Sequence, residues 1–210
     1  SCRGLSLINI DNPTTPYEEG RYKTGGYAVS LALSGNYLYV CEDMGGLKIL
    51  DVSNPSEPSE VGSFASGEEE WIVDVVVSGD YAYLAAQNFG LRVLDTSNPN
   101  NPSEVGHLIM GEYPKKLAIS GNYVYILDQS DTLLVVDVSN PASPSVEGKY
   151  KVTSGVYDLA VSGSNVYIAA SNGLHAIDVA DPSNPSFLSY CALSGGGFDV
   201  AISGQYAYVA

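Results

Sequence analysis

One motif recurs five times along this chain of 210 residues, and this repetition restricts the fold more than any other feature. Each copy contains Ser-Gly, one further residue, and then a tyrosine-bearing strand. The glycine of the motif stands at Gly35, Gly79, Gly121, Gly163 and Gly204, with spacings of 44, 42, 42 and 41 residues. A fixed period of this length is typical of repeat architectures, in which each unit packs only against its neighbours.

The repeat from Trp71 to Ile109 predicts four short antiparallel strands. Ile72–Val77 and Tyr81–Ala85 flank a Ser-Gly-Asp turn, and glycine supplies the positive φ that a tight hairpin needs. Two further strands are predicted at Leu91–Asp95 and Glu104–His107. Four strands in about 42 residues is the size of one propeller blade.

The prolines support an all-β chain. Ten of the eleven form pairs spaced i,i+3, at 13/16, 55/58, 99/102, 141/144 and 182/185. Proline cannot donate a hydrogen bond to a sheet, so these pairs belong between strands or at a sheet edge. Their recurrence predicts the turn between the third and fourth strands of each blade.

The two ends of the chain complement each other. The sequence ends at the second strand of a fifth repeat and begins at a third strand. We therefore expect a five-bladed β-propeller of four-stranded antiparallel blades, closed by pairing of the N- and C-terminal strands in one blade. The predicted blades are 23–64, 65–108, 109–150, 151–191, and 192–210 together with 1–22. A fragment of a larger propeller would have the same ends.

The charge excludes two classes of partner. With 24 acidic and 9 basic residues the net charge is −15, which repels nucleic acid and anionic membrane surfaces. No apolar run approaches the ~18 residues that a membrane-spanning helix needs. Low charge density, acidity and abundant Tyr, Ser, Gly and Asn favour an extracellular or cell-surface location.

A longer pattern within the repeat resembles a known family. Gly46-Leu-Lys-Ile-Leu-Asp-Val-Ser-Asn-Pro55 recurs as Gly90–Pro99, Thr132–Pro141 and Gly173–Pro182, with a looser copy at Gly4–Pro13. This pattern is similar to that of the LVIVD-repeat β-propellers of bacterial and archaeal surface proteins. The resemblance implies a propeller on a secreted or surface-anchored protein. It implies no catalytic residues, because the family shares none.

One position of the repeat predicts a ring of polar side chains. Five residues before each repeat glycine, at the start of the innermost strand, stand Ser30, Asp74, Lys116, Asp158 and Asp199. Three carboxylates converging at a channel mouth would suit Ca²⁺ or another hard cation. Alternatively, each Asp accepts backbone N–H groups and Lys116 neutralises the ring, or the ring binds a polar ligand. The lysine argues against a metal.

Aromatic residues precede this ring in three repeats. Tyr27, Trp71 and Tyr113 are equivalent, and glycines replace them at 155 and 196. Trp71 follows three glutamates, which predicts one aromatic, acidic side and one open, glycine-rich side. Aromatic rings beside carboxylates favour sugar or peptide binding. The alternative is that Trp71 fills the channel and the glutamates form a solvated loop.

The three cysteines are too few for a disulfide scaffold. Cys2 and Cys41 fall at nearly equivalent loop positions, and Cys191 lies at an outer strand end. A bridge from Cys2 to either of the others would staple the closing blade. Unbridged thiols are the alternative.

Together these features favour a non-enzymatic binding module that recognises a protein or glycan with its loop-bearing face and needs no cofactor. The loop-bearing face is the one with the loops between blades and between second and third strands. A structural, self-associating unit of a surface protein is the second hypothesis. A hydrolase using ring carboxylates such as Asp158 is the third.

Overall fold

The computed structural model describes residues 4–43, 45–67 and 70–210. All regular elements in these ranges are β-strands, which confirms the all-β prediction. Within the same ranges there is no helix with the length and apolar character needed to cross a membrane.

Twenty strands follow one another in chain order, and the central four repeats contribute four each. The strands are β1 Leu5–Asn9, β2 Tyr17–Tyr22, β3 Ala28–Ser34, β4 Tyr37–Glu42, β5 Gly46–Asp51, β6 Ser59–Phe64, β7 Ile72–Ser78, β8 Tyr81–Ala86, β9 Gly90–Asp95, β10 Ser103–Leu108, β11 Pro114–Ser120, β12 Tyr123–Asp128, β13 Thr132–Asp137, β14 Ser145–Lys151, β15 Val156–Ser162, β16 Asn165–Ala170, β17 Gly173–Asp178, β18 Ser186–Ala192, β19 Val200–Ser203 and β20 Tyr206–Val209.

These strands form four four-stranded sheets and two two-stranded sheets. The four-stranded sheets are β3–β6, β7–β10, β11–β14 and β15–β18, here called the first to fourth blades. Each runs in sequence order, as a meander of adjacent strands. The strands β1–β2 and β19–β20 form the two-stranded sheets. The predicted blade composition is therefore confirmed for four repeats, and pairing across the chain termini stays a prediction.

The repeat glycine and the proline pair both make turns. All five repeat glycines have φ of 57° or 58°, the left-handed region that a side chain disfavours. The Asn-Pro segments lie between third and fourth strands, as predicted. In the second blade Asp95 Oδ1 accepts the Ser97 N–H at 2.9 Å, which fixes the start of this turn.

The chain divides into two compact units. Unit 1 comprises Ser1–Asn88 and Arg92–Val105, and unit 2 comprises Phe89–Leu91 and Gly106–Ala210. In unit 1 one apolar cluster joins the first blade to the second, with Tyr39 and Ile49 against Ile72 and Leu84. In unit 2 an equivalent cluster joins the third blade to the fourth through residues such as Leu133 and Ile168. Each cluster buries sheet faces that no single blade covers alone.

Glycine in the fourth strand lets an outer strand approach the next Asn-Pro turn. A Cβ built on Gly148 lies 2.2 Å from the carbonyl oxygen of Pro182, and one on Gly62 lies 2.0 Å from that of Pro99. Both contacts are with backbone atoms, which cannot move aside as a flexible side chain can. The outer strand therefore requires glycine at this position, because a Cβ would overlap the backbone of the next turn.

We expect Gly148→Ala to lower the free energy of unfolding by about 1–3 kcal/mol, because the added methyl group overpacks the seam against Pro182. Urea unfolding followed by circular dichroism measures the change. Gly111→Ala is the control, since a Cβ there meets nothing within 4 Å. Equal effects of the two substitutions would contradict the steric explanation.

Candidate functional site

A β-bulge places the predicted ring position in each of the four blades. The pairing of the two innermost strands shifts register just before the ring residue, between Ala28/Ser30, Ile72/Asp74, Pro114/Lys116 and Val156/Asp158. After the bulge the ring residues pair in one register, with Ser30 opposite Cys41 and Asp158 opposite Ala169. Bulges bend a strand and redirect its side chains, so this defect sets the ring position in every blade.

In unit 1 the ring residues act as hydrogen-bonding partners within the fold. Ser30 Oγ donates to Asp74 Oδ1 at 2.6 Å, and Asp74 is buried. Burial raises the pKa of the nearby Cys41 thiol, and the negative charge of Asp74 raises it further. Cys41 is therefore held as an unreactive thiol. Asp74 thus bonds within the fold through a side-chain hydroxyl, whereas the structural alternative expected a backbone N–H as the donor.

In unit 2 two ring carboxyls lie together. Asp158 and Asp199 are hydrogen-bonded through their side chains, and Asp158 Oδ2 accepts the Val200 N–H at 2.9 Å. Burial raises the pKa of Asp158 to about 6, and the hydrogen bond with Asp199 adds to this rise. The Val200 N–H and the Lys116 ammonium oppose it. Asp158 therefore keeps a proton at mildly acidic pH, as a carboxyl group bonded to a second carboxyl does.

An exposed aromatic pair adjoins these carboxyls. The residues just before Asp158 and Asp199 in the chain are Tyr157 and Phe198, whose ring centroids lie 4.8 Å apart at an interplanar angle of 42°. Tyr157 is 41% exposed and Phe198 is 61% exposed. Tyr157, Phe198, Lys116, Asp158 and Asp199 are together called the Asp158 site.

The glycine-rich segment before Phe198 leaves the Asp158 site open. Gly195 and Gly196 have positive φ, and a Cβ on Gly196 would lie 2.7 Å from the Ser171 carbonyl oxygen. A side chain is thus excluded from the position where other blades carry an aromatic ring. Sequence reasoning treated this side only as open and missed the aromatic pair. The signal was an aromatic residue at the bulge, where the first three blades have Val29, Val73 and Lys115.

Tyr27, Trp71 and Tyr113 are structurally equivalent, as their spacing predicts. The carbonyl oxygen of each accepts a hydrogen bond from the residue after the second strand, at 3.0, 2.9 and 2.8 Å. Gly155 makes the same bond with Ser171 at 2.8 Å. All three aromatic side chains are about half exposed. Their role in ligand binding stays a prediction.

A buried ion cluster holds Glu70, the residue before Trp71. Arg92 Nη2 donates to Glu70 Oε2 at 2.6 Å, while Arg92 Nη1 is paired with Glu104. The guanidinium carbon also lies 5.8 Å from the centroid of the Phe64 ring. Burial raises the pKa of Glu70, and the charge of Arg92 opposes that rise. Glu70 is thus held by an ion pair, whereas the alternative drawn from the sequence placed it in a solvated loop, and Glu68 and Glu69 lie outside the described residues.

The metal and disulfide hypotheses gain no support from this geometry. Across 4–43, 45–67 and 70–210, no group of three His, Cys, Asp or Glu side chains is placed to hold a metal ion. Asp74, Asp158 and Asp199 thus remain weak candidates for Ca²⁺. Cys41 is buried and Cys191 is exposed. Cys2 lies outside the described residues, so a bridge from it stays a prediction.

The repeat matches a family model along most of the chain. The model of the LVIVD repeat matches residues 25–66, 72–108, 112–152, 155–192 and 194–210. The chain belongs to the LVIVD repeat family. The resemblance expected from the Gly-Leu…Asn-Pro pattern is therefore confirmed in five copies. No curated protein matches the LVIVD chain significantly.

Solved structures confirm the propeller fold of this LVIVD chain. A protein from Lactobacillus plantarum has a TM-score of 0.81 at 15% identity, over 94% of this chain and 67% of its own. The periplasmic gluconolactonase PpgL of Pseudomonas aeruginosa has a TM-score of 0.77 at 16% identity, over 93% and 66%. The computationally designed Ika8 protein has a TM-score of 0.74 at 15% identity, over 91% and 58%. This chain spans 58 to 67% of these three structures, and identities this low show the fold alone.

We expect Arg92→Met to lower the free energy of unfolding by about 3–5 kcal/mol, because it leaves the carboxylate of Glu70, only 1% exposed, without its cation. Chemical unfolding measures the loss. The control is Lys48→Met at the equivalent position of the first blade, where the exposed pair with Glu60 at 2.9 Å contributes about 0–1 kcal/mol. Similar losses in both variants would show that burial of Glu70 is not what matters.

We expect Asp158→Asn to remove a pH dependence of stability. The pKa of Asp158 is raised to about 6, so its contribution is complete below the unfolded pKa of about 4 and is lost as the pH rises through 6. Asparagine stays neutral, so the variant gains about 1 kcal/mol relative to the native chain between pH 4.5 and 7.5, after allowance for solvent screening. Urea unfolding of both proteins at the two pH values measures this. A constant difference between them would contradict the raised pKa.

Proposed function

We propose that this LVIVD propeller is a non-enzymatic binding module, secreted or on the cell surface, that recognises a glycan through the Asp158 site. The observation that carries the proposal is the exposed Tyr157–Phe198 ring pair next to the hydrogen-bonded carboxyls of Asp158 and Asp199. The chain's acidic composition, rich in Tyr, Ser, Gly and Asn, supports the location.

The aromatic pair provides an apolar contact surface. Tyr157 and Phe198 leave ring area exposed to solvent, at a cost in free energy that a ligand removes by covering it. The C–H face of a pyranose ring is flat and apolar enough to stack on such rings. Tyr157 lies within β15, and the backbone N–H of Phe198 donates to the Ala210 carbonyl oxygen at 2.7 Å, so both rings stand on hydrogen-bonded backbone.

The polar groups of the Asp158 site fix the orientation of the bound sugar. A carboxyl pair that holds one proton both donates and accepts hydrogen bonds, which suits the hydroxyl groups of a sugar. Lys116 adds a donor next to this pair. The net charge of −15 disfavours polyanionic glycans, so the ligand class is a neutral or amino-sugar glycan.

The same carboxyls favour binding over glycoside hydrolysis. Catalytic carboxyl pairs stand about 5 to 9.5 Å apart, which leaves room for the anomeric carbon or a water molecule. Asp158 and Asp199 are joined by a hydrogen bond between their side chains. Carboxyl groups bonded to one another lie closer than this catalytic geometry requires, which supports a binding role.

The test is isothermal titration calorimetry at pH 6 with chitotriose, cellotriose, maltotriose and mannotriose. We expect at least one of these to bind, and Phe198→Ala and Tyr157→Ala each to weaken that binding about tenfold through the lost stacking. Asp158→Asn tests the polar contact separately, since it keeps the shape of the site.

The matched control is Trp71→Ala, which removes a half-exposed aromatic side chain in unit 1. We expect it to leave the affinity unchanged. If none of the four sugars binds, the glycan proposal is wrong. If a sugar binds and only Trp71→Ala weakens it, the site lies at the aromatic position first indicated by the sequence.

A further inference from the structure

The third strand of a blade carries a basic residue at one position in three of the four blades. The third residue of that strand is Lys48 in the first blade, Arg92 in the second and His175 in the fourth. In the third blade the residue is Leu134, which is 5% exposed. The third blade therefore lacks the cation that this position provides in the second blade.

In the second blade this position is the centre of an ion cluster. Arg92 Nη2 donates to Glu70 Oε2 at 2.6 Å, and Arg92 Nη1 is paired with Glu104. Glu70 directly precedes Trp71, and Glu104 is the second residue of the outer strand β10. The guanidinium group of Arg92 therefore lies between a carboxylate before the blade and one on its outer strand.

The third blade keeps carboxylates at this place without an arginine. Glu112 is equivalent to Glu70, because each directly precedes the aromatic residue before its blade. Val146, the second residue of β14, stands at the position of Glu104. A second carboxylate comes from Asp128, the last residue of β12.

A cavity lies among these side chains of the third blade. It has a volume of about 240 Å³, and Glu112, Asp128, Leu134 and Val146 are among its lining residues. Three of these four are the equivalents of the residues that form the ion cluster of the second blade. The cavity, here called the Asp128 cavity, therefore occupies the place that a guanidinium group fills in the second blade.

The carboxylate of Asp128 is buried and has a hydrogen bond on one oxygen only. The residue is 4% exposed, and its Oδ1 accepts the Ser130 hydroxyl at 2.8 Å and the Thr132 N–H at 2.9 Å. Among the described residues, Oδ2 has no hydrogen-bond partner, and the carboxylate of Glu112 has none either. A carboxylate oxygen removed from water without a donor costs free energy, which a bound donor restores.

The equivalent positions of the other blades are satisfied within the chain. In the first blade Glu42 stands at the position of Asp128, and its two oxygens accept the N–H groups of Gly25 and Gly26 at 3.0 and 3.2 Å. Alanine stands there in the second and fourth blades. Asp128 is one methylene group shorter than Glu42 and bonds within its own hairpin loop, which leaves the cavity between that loop and residues 109–112.

We propose that the Asp128 cavity binds a guanidinium group on an aliphatic chain, as in free arginine or in an arginine side chain of a peptide. The bound group takes the place of the Arg92 guanidinium and donates to Asp128 Oδ2 and to the carboxylate of Glu112. Its aliphatic chain lies against Leu134 and Val146, which line the same cavity. The proposal does not depend on the Asp158 site.

The chemistry of the lining selects this class of ligand. A guanidinium group is planar and presents several N–H donors, so one group satisfies two carboxylates from different segments. A volume of 240 Å³ is below the range of about 300–1,000 Å³ typical of pockets for drug-sized ligands, so the bound group is small. A metal ion is disfavoured, because no three acidic, histidine or cysteine side chains converge anywhere in the ranges that the structure describes. The net charge of −15 attracts a cation from solution.

Lys149 also lines the cavity and distinguishes the two sources of the guanidinium group. The residue is exposed, and in the part of the chain that the structure describes no ion pair joins it to Asp128 or Glu112. Free arginine has an α-carboxylate for the Lys149 ammonium group, whereas an arginine residue inside a peptide has none. The affinity for free arginine therefore depends on Lys149, and the affinity for a peptide side chain does not.

Isothermal titration calorimetry of the full chain at neutral pH and low salt tests the proposal. The probes are L-arginine, L-citrulline, whose side chain is a neutral isostere, and N-acetyl-L-arginine amide, which has no α-carboxylate. We expect a guanidinium compound to bind and L-citrulline to bind about tenfold more weakly or less, because citrulline brings no charge to the carboxylates. Equal binding of arginine and citrulline, or no binding of either guanidinium compound, overturns the proposal.

Substitutions in the cavity test where the ligand binds. We expect Asp128→Asn and Glu112→Gln each to weaken binding about tenfold, and Leu134→Arg to abolish it by placing a guanidinium group of the chain in the cavity. The matched control is Glu147→Gln, which changes the net charge equally at an exposed position of β14 and leaves the affinity unchanged. Circular dichroism confirms that each variant is folded.

Two results separate this cavity from other acidic surfaces. If Glu147→Gln weakens binding as much as Glu112→Gln, only the net charge attracts the ligand and the proposal is wrong. Loss of binding in Asp158→Asn but not in Asp128→Asn places the guanidinium group at the other carboxyl pair, which also overturns it.

Lys149→Met then identifies the source of the guanidinium group. It lowers the affinity for L-arginine alone if the ligand is the free amino acid, because only that probe has an α-carboxylate. It leaves the affinity for both guanidinium compounds unchanged if the ligand is a peptide side chain. Either result supports binding in the Asp128 cavity.

Discussion

Each blade has two apolar faces, and only a neighbouring blade can cover them. This constraint explains why Val75 and Leu159 are buried and their equivalent Leu31 is exposed, although all three occupy the same register. It also explains the glycine in the fourth strand, since Gly62 and Gly148 admit the next Asn-Pro turn at a distance that no Cβ tolerates. Stability in such a repeat is therefore a property of the seams between blades as much as of the blades.

Comparison of equivalent positions in the blades distinguishes the residues that form the scaffold from those that form the candidate site. The bulge in the inner strand occurs in all four blades and fixes where the ring residue stands, whatever that residue is. The side chains then differ: Asp74 is buried and bonded to Ser30, whereas Asp158 shares a hydrogen bond with the exposed Asp199. The repeats share the residues that pack the blades and differ in the side chains at the ring position. A binding function therefore depends on the residues that differ between repeats.

The sequence predicted the blades, their turns and the ring position because each depends on local spacing: a glycine for a positive φ, prolines between strands, a fixed distance to the repeat glycine. It did not predict the Tyr157–Phe198 contact, which joins residues 41 positions apart in two different repeats. Nor did it predict that Glu70 is paired with Arg92 rather than solvated, since that pair joins a loop to a strand 22 residues later. Long-range pairing of side chains is what spacing within one repeat leaves undetermined.

The buried carboxyl groups have different partners in different blades, which is consistent with a chain of net charge −15. With so few cations, each buried carboxylate needs a specific partner, and the blades provide different ones: Arg92 for Glu70, the backbone N–H groups of Gly25 and Gly26 for Glu42, and a shared proton for Asp158. Among these groups, Asp158 has its pKa raised to about 6 by burial and by its hydrogen bond with Asp199. The carboxyl pair of Asp158 and Asp199, with Lys116 nearby, thus places groups that can donate and accept hydrogen bonds next to an exposed aromatic surface.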